Sequence, residues 1–195
     1  MAAKARLVIV GPPGAGKGTQ ATTIAQAMGI PEISTGAIFR ANIADGTELG
    51  KRAQDYIDAG NLVPDDITDA MVRARLGQPD AAEGFLLDGY PRNLHQVMQL
   101  DQILADYGTQ LDAVIELVIP DDAIVARLLR RAEIEGRADD TEPVIRRRID
   151  VYHQQTQPVV SAYDERDMVL AIDGVGEITE VHDRIVNALK ERFAL

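Results

Sequence analysis

Gly11-Pro12-Pro13-Gly14-Ala15-Gly16-Lys17-Gly18-Thr19 decides how this chain is read. The apolar run Leu7-Val8-Ile9-Val10 precedes it, and a helical pattern from Gly16 to Met28 follows it. Strand, glycine loop and helix in that order suit phosphate binding. Glycines let backbone N–H groups crowd around the phosphates, the helix N-terminus adds the positive end of its dipole, and Lys17 reaches the terminal phosphates. One detail departs from the general pattern: Gly18 follows Lys17, and the hydroxyl comes one place later at Thr19. An ordinary glycine-rich turn would need neither Lys17 nor both flanking elements.

Outward from the loop, three further apolar runs read as buried strands: Gly84-Phe85-Leu86-Leu87, Ala113 to Ile119, and Met168 to Ile172. A weaker strand is Glu32-Ile33, just before Ser34-Thr35-Gly36. Helical patterns separate them. Asn93 to Tyr107 carries Leu94, Val97, Leu100, Ile103 and Leu104 on one face. Asp121 opens a helix with Ile124, Val125, Leu128 and Leu129 apolar. Thr141 is placed as an N-cap with Pro143 early in the first turn, ahead of Ile145, Ile149 and Tyr152. Pro158 is expected to kink or end that helix. Gly176 to Phe193 closes the chain with Ile178, Val181, Ile185 and Leu189. Strands alternating with helices predict an α/β, P-loop three-layer fold, with a central parallel five-stranded sheet flanked by helices.

Two segments interrupt the alternation. Positions 36–77 are helix-rich without a strong strand, with a helix over Thr47 to Ala59 and a turn over Gly60 to Asp65. Arg131 to Asp140 reads as a short polar connection between two helices. Insertions at the carboxyl edge of such a sheet usually build the binding site, so both are candidate substrate flaps.

Charge is distributed unevenly. The formal net charge is −11, so most of the surface repels nucleic acid. Yet Arg127, Arg130, Arg131, Arg137, Arg146, Arg147 and Arg148 fall within 22 positions. The planar fork of arginine suits bidentate contact with phosphate oxygens. The cluster could also be a solvated helix face paired with Glu133, Glu135, Asp139 and Asp140; beside a phosphate loop, the phosphate-facing reading is favoured. The 195 residues, 46% of them hydrophobic, can bury one core. With no cysteine, disulfides, thiolate metal sites and cysteine nucleophiles are excluded, which fits a reducing cytoplasm. No signal peptide or membrane-spanning run is apparent.

A second chemical motif is Leu87-Asp88-Gly89-Tyr90-Pro91-Arg92. A carboxylate ending a buried strand can hold magnesium, directly or through water, near phosphates. Arg92 follows a turn fixed by Gly89 and Pro91, well placed to clamp a second anion. Taken alone, the motif also fits a helix N-cap aspartate beside a surface arginine.

Together these residues resemble the adenylate kinase family of nucleoside monophosphate kinases over essentially the whole chain. The resemblance rests on the phosphate loop through Gln20, on Ile33 to Gly36 with Arg40, and on Asn61-Leu62-Val63-Pro64-Asp65. It rests further on Asp88 to Arg92 with Gln96, and on Gly136 to Asp140 followed by Arg148. The resemblance implies one P-loop kinase domain over 1–195, with an inserted AMP-binding subdomain at about 34–63 and a short lid at about 131–141. It implies transfer of a phosphoryl group from Mg-ATP to AMP, giving two ADP, in a cytoplasmic monomer without nucleic-acid or membrane partners. Long lids in the family sometimes hold zinc through cysteines; this chain has none, so no structural zinc is expected.

The same resemblance implies roles. Lys17 would hold the transferring phosphoryl group, with Gly14, Ala15, Gly16, Gly18 and Thr19 around the ATP phosphates. Arg40 and Arg92 would bind the AMP phosphate, and Arg127 would lie by the ATP base and phosphates. Arg131, Arg137 and Arg148 would close on the phosphates and the transition state. Arg137 would also touch ATP, and Arg137, Arg148 and Gly36 would touch AMP. Asp88 would orient magnesium through water. Thr35 and Gln96 would read adenine in a pocket shaped by Gly60, Val63 and Gly89.

Three positions differ from the family pattern. Ala37 stands where an acidic residue is usual, Tyr90 replaces the commoner Phe, and Asn93 also occurs in the related UMP/CMP kinases. The alternatives are therefore a UMP/CMP kinase, which Thr35 and Gln96 argue against, and a catalytically inactive nucleotide sensor, which the arginine set argues against.

Overall fold

The computed structural model describes residues 4–135 and 141–194. Five strands form one parallel sheet: β1 (Arg6–Val10), β2 (Glu32–Ser34), β3 (Phe85–Asp88), β4 (Ala113–Val118) and β5 (Val169–Asp173). Their order across the sheet is β2-β3-β1-β4-β5. The chain leaves β1 to one side for β2 and β3, then crosses to the other for β4 and β5. The strand order therefore reverses at β1, and the crevice at a switch point is where such sheets bind ligands.

Alternation along β1 assigns the two faces. Leu7 and Ile9 join Leu86, Ile115 and Leu117 in a core against α1 (Lys17–Met28) and α9 (Ile178–Phe193), through Ile24, Val181, Ile185 and Leu189. Val8 and Val10 point the other way, with Leu87 and Val114, toward α5 (Leu94–Asp106) and α8 (Gln157–Asp164). Near-continuous apolar strands are what a sheet buried on both faces requires. α6 (Asp121–Glu135) adds Ile124 and Leu128 to the first core. No helix among the described residues is long and apolar enough to cross a membrane.

The helix-rich insertion folds as α2 (Thr35–Ala44), α3 (Glu48–Asp58) and α4 (Asp65–Leu76). It has a small core of its own, in which Phe39, Ala53, Val63 and Ile67 are buried together. Side-chain oxygens cap its first two helices. Ser34 accepts from the Ala37 amide and Thr47 from the Gly50 amide, satisfying donors that a helix start leaves without partners.

Two expectations need correction, and a third is made specific. The α-helix expected to kink or end at Pro158 does give way ahead of it. α7 (Glu142–Val151) passes into a π-helical segment, Tyr152–Thr156, and Pro158 falls in the first turn of α8. There the missing N–H costs least, and the wider π turn upstream absorbs the register change. Next, α6 runs on through Glu135, so the connection expected from Arg131 to Asp140 starts later than its polarity suggested. Finally, Leu94, Leu129 and Ile178 are exposed, at 50%, 39% and 59%. At about 100° per residue, Leu94 falls off the stripe of Val97, Leu100 and Leu104, and Leu129 turns away from buried Leu128. Ile178 opens α9 ahead of its buried residues.

Candidate functional site

Strand register brings the motifs to one edge. Ser34 pairs with Asp88, and Asp88 with Ile9, one residue before β1 ends. The phosphate loop, the Asp88 turn and the start of α2 therefore emerge level with one another. Gly11 takes φ 149°, and a Cβ there would meet the Leu117 carbonyl oxygen at 2.7 Å, so only glycine lets the loop leave β1 against β4. Gly16 is the N-cap of α1, and having no side chain it leaves the first helical amides without a side-chain cap of their own. A helix start open in this way is an anion site. Lys17 spans the loop, its Nζ donating to the carbonyls of Gly11 at 2.8 Å and Pro12 at 2.9 Å.

One cavity is lined by loop residues Gly14, Gly16, Lys17, Gly18 and Thr19, together with Asp88 and four arginines: Arg40, Arg92, Arg127 and Arg148. Four guanidinium groups and the open loop amides suit this cavity to phosphate, and we call it the phosphate cleft. Arg127 is held to the Gly174 carbonyl by both terminal nitrogens, at 3.4 Å each. Asp88 accepts from the Ser34 hydroxyl at 3.4 Å, and Gly18 is its neighbour across the cleft. Two carboxylates, Asp88 and Glu32, stand among the hydroxyls of Ser34, Thr19 and Thr22 on this wall, a sparse donor set that suits a magnesium ion carried largely by water and substrate. Among the described residues no three His, Asp or Glu side chains gather as a cage for a metal.

The second cavity joins the first at Arg40, Arg92 and Arg148, and it is lined by Thr35, Phe39, Gly60, Val63, Gly89 and Gln96. A turn holds these parts together. Thr35 Oγ1 and Arg92 Nε both donate to the Gly89 carbonyl, at 2.9 and 2.8 Å. Thr156 Oγ1 donates to the Arg92 carbonyl at 2.9 Å. Burial pulls the Arg92 pKa below its ordinary value and the nearby Asp88 opposes that pull; the guanidinium stays charged at any working pH. Gln96, 2% exposed, accepts from the Arg92 amide at 2.8 Å and donates to Asp65 at 2.7 Å. A third cavity connects Lys17, Gly89, Arg92 and Arg148 with Tyr152 and Thr156 of the π segment.

Of the residues singled out in the sequence, this arrangement gathers Gly14, Gly16, Lys17, Gly18, Thr19, Thr35, Gly36, Arg40, Gly60, Val63, Asp88, Gly89, Arg92, Gln96, Arg127 and Arg148 around adjoining cavities. Ala15 is buried beneath the loop. Arg137 and the rest of 136–140 in the expected lid lie outside the described residues, as do the side chains of Arg130 and Arg131. Two arginines of the cluster line none of these cavities: Arg146 pairs with Glu142 at 2.7 Å, and Arg147 donates at 2.9 Å to Asn61, a residue on the wall of the second. Sequence reasoning missed Ser34, Glu32 and Thr22 on the cleft wall; it placed Asp65 in the Asn61 to Asp65 loop resembling the one that lines the adenine, but not its bond to Gln96. The only signal for Ser34 was its place before the helix of Thr35, as a possible cap.

The adenylate kinase family model matches residues 9–168. An adenylate kinase of Thermobifida fusca is 57% identical over 96% of this chain and 99% of its own length. Those of Kocuria rhizophila and a Nocardioides species are 57% and 58% identical, covering 95% and 94% of this chain and 98% and 96% of their own lengths. The chain belongs to the adenylate kinase family.

Proposed function

We infer that this member of the adenylate kinase family is an ATP:AMP phosphotransferase, interconverting ATP and AMP with two ADP. The observation that carries this reading is the pair of adjoining cavities. A phosphate cleft over the glycine loop meets a second, partly apolar pocket across Arg40, Arg92 and Arg148, so two nucleotides can meet phosphate to phosphate. An oxygen of the AMP phosphate attacks the γ-phosphorus of ATP, the β–γ bridging bond breaks, and its electron pair leaves on ADP. Little covalent chemistry falls to the protein, and rate comes from alignment and charge neutralisation.

We assign the residues accordingly. Loop amides and Lys17 bind the donor phosphates, and Lys17 follows the transferring group. Arg40 and Arg92 hold the acceptor phosphate; Arg127 and Arg148, with Arg131 and Arg137, neutralise charge as it spreads in the transition state. Thr35, Gln96 and the walls at Gly60, Val63 and Gly89 receive the adenine of AMP. Asp88 would hold magnesium through water, and the ion would neutralise phosphate charge and align the donor. We assign 34–63 as the AMP-binding insertion and 131–141 as the lid that excludes water.

Neither a UMP/CMP kinase nor an inactive sensor is favoured by the relatives at 57–58% identity. A coupled assay with AMP, CMP, UMP and GMP as acceptors tests the reading. AMP is expected to be the best acceptor by a wide margin; a pyrimidine acceptor of equal efficiency, or no turnover with any acceptor, would overturn it.

A further inference from the structure

We propose that Asp65 is a specificity-determining positioning residue: it fixes which way the Gln96 carboxamide faces and thereby selects an adenine acceptor. The proposal rests on the reading of Gln96 as the adenine contact. The observation is a closed set of short hydrogen bonds. Gln96 Nε2 donates to Asp65 Oδ1 at 2.7 Å, and Asn93 Nδ2 donates to the same oxygen at 3.0 Å. At its other end, Gln96 Oε1 accepts from the Arg92 amide at 2.8 Å. The Gln96 amide itself donates to Asn93 Oδ1 at 2.9 Å, which ties the cap of α5 into the same set.

Chemistry makes this orientation one-way. A carboxylate only accepts, and a backbone N–H only donates. Turning the carboxamide over would set Oε1 against the Asp65 oxygen and an N–H against the Arg92 N–H, losing both bonds and adding two repulsions. A carboxamide has two donor hydrogens and two acceptor sites. Asp65 takes one donor and the Arg92 amide takes one acceptor site. One N–H and one lone pair remain, in fixed positions, on a residue that lines the pocket. Adenine offers the complement, an exocyclic amine and a ring nitrogen that accepts. A purine with an oxo group and a protonated ring nitrogen offers the reverse. A site built to hydrogen-bond one pattern rejects the other because buried polar groups are left without partners. Gln96 is 2% exposed, so water cannot readily repair the mismatch.

Asp65 also lies in the first turn of α4, where any carboxylate favours the helix. The neighbouring Asp66 supplies the control: it shares that turn and pairs instead with Arg52, at 3.5 Å. The experiment compares AMP with inosine monophosphate, which differs only at those two purine positions, in native enzyme, Asp65→Asn, Asp66→Asn, Gln96→Ala and Asp65→Asn/Gln96→Ala. Asp65→Asn is expected to narrow the ratio of kcat/KM for AMP over inosine monophosphate by roughly tenfold, about what one charge-assisted hydrogen bond supports. KM for ATP should stay within about twofold, because Asp65 is absent from the phosphate cleft. Asp66→Asn should leave the ratio unchanged, and adding Asp65→Asn to Gln96→Ala should narrow it no further. Asp65→Ala, which offers no partner, carries the same expectation if the asparagine variant does not fold. If Gln96→Ala narrows the ratio but the Asp65 variants leave it native, or if Asp66→Asn narrows it equally, the positioning role is wrong and the base-contact reading stands. If Gln96→Ala itself leaves the ratio native, both fall together.

Discussion

Replacing Gly89 by alanine should damage the acceptor site selectively. Gly89 takes φ 85°, where an L side chain costs roughly 1–2 kcal/mol. An added Cβ would lie 2.6 Å from Thr35 Oγ1 and 2.9 Å from Arg92 Nη2, against an ordinary contact of 3.4 Å or more. The arginine tip can move, but only away from the cavity wall where it is assigned to the acceptor phosphate. Thr35 is 2% exposed and branched at Cβ, so its hydroxyl has little room, and its 2.9 Å bond to the Gly89 carbonyl must lengthen or break. A weakened buried hydrogen bond adds roughly 1 kcal/mol, for a total near 2–3 kcal/mol. That lowers Tm by roughly 4–12 °C in a chain of this size and leaves the protein folded at 25 °C. The displacement, about 0.8 Å at Thr35, is of the size that costs up to a hundredfold when a positioning group moves. Steady-state kinetics with each substrate varied should show kcat/KM for AMP falling by roughly ten- to a hundredfold and KM for ATP holding within about twofold. A folded Gly89→Ala enzyme with native AMP kinetics, or one that loses both substrates equally, would refute the reasoning.

Lys17→Met should lower turnover by orders of magnitude with the fold intact, since the lysine supplies charge to the reaction and little packing; near-native turnover from a folded variant would remove it from the mechanism. Ala37→Asp should lower the magnesium concentration for half-maximal rate, because Ala37 lines the phosphate cleft with Asp88. It should also raise Tm slightly, by about 1–3 °C, because α2 has no acid in its first turn; superimposable magnesium titrations and melts would reject both effects. His153, bonded to Gln157 at 3.0 Å and to Asp121 at 2.8 Å, has its pKa raised by these partners. Its contribution to stability is then full below about pH 6.5 and is lost as pH rises through the raised value. The Tm difference between native protein and His153→Ala should therefore be larger at pH 5.5 than at pH 8.5, and a difference that grows with pH would show the sign to be wrong.

What the sequence revealed and what it hid divide along range. The glycine loop, the apolar strands and the Asp88 turn are local patterns, written in neighbouring residues whose conformational needs are specific, and each lies in the structure where its pattern put it. The arginine cluster was legible as charge but not as direction. Arg146, Arg147 and Arg148 are consecutive on α7, so at about 100° per residue they cannot all face one cleft. Arg148 lines it, while Arg147 reaches Asn61 and Arg146 reaches back one turn to Glu142. The Asp65–Gln96 contact spans 31 positions and two helices, and no periodicity announces it. The π segment was hidden for another reason. Pro158 signalled a break, and its position in the chain could not say that the preceding turn would widen and leave the proline at a helix start.

Asp88 to Arg92 joins the two adjoining cavities along one short stretch of backbone. Asp88 faces the phosphate loop across the cleft, and its carboxylate takes the Ser34 hydroxyl that also caps α2. The next carbonyl, at Gly89, receives both Thr35 and Arg92. The Arg92 amide donates to Gln96, its carbonyl is held by Thr156, and its side chain lines both adjoining cavities. The residues assigned to the cation water, the acceptor phosphate and the base are thus spaced by one short turn whose Gly89 carbonyl and Arg92 amide and carbonyl all have partners. Aligning two polyanions for in-line transfer depends on this spacing more than on any single charge. Conservative changes within the turn should therefore disturb rate more than stability, whereas the exposed arginines of α7, equally charged and close in sequence, should tolerate replacement with little effect on either.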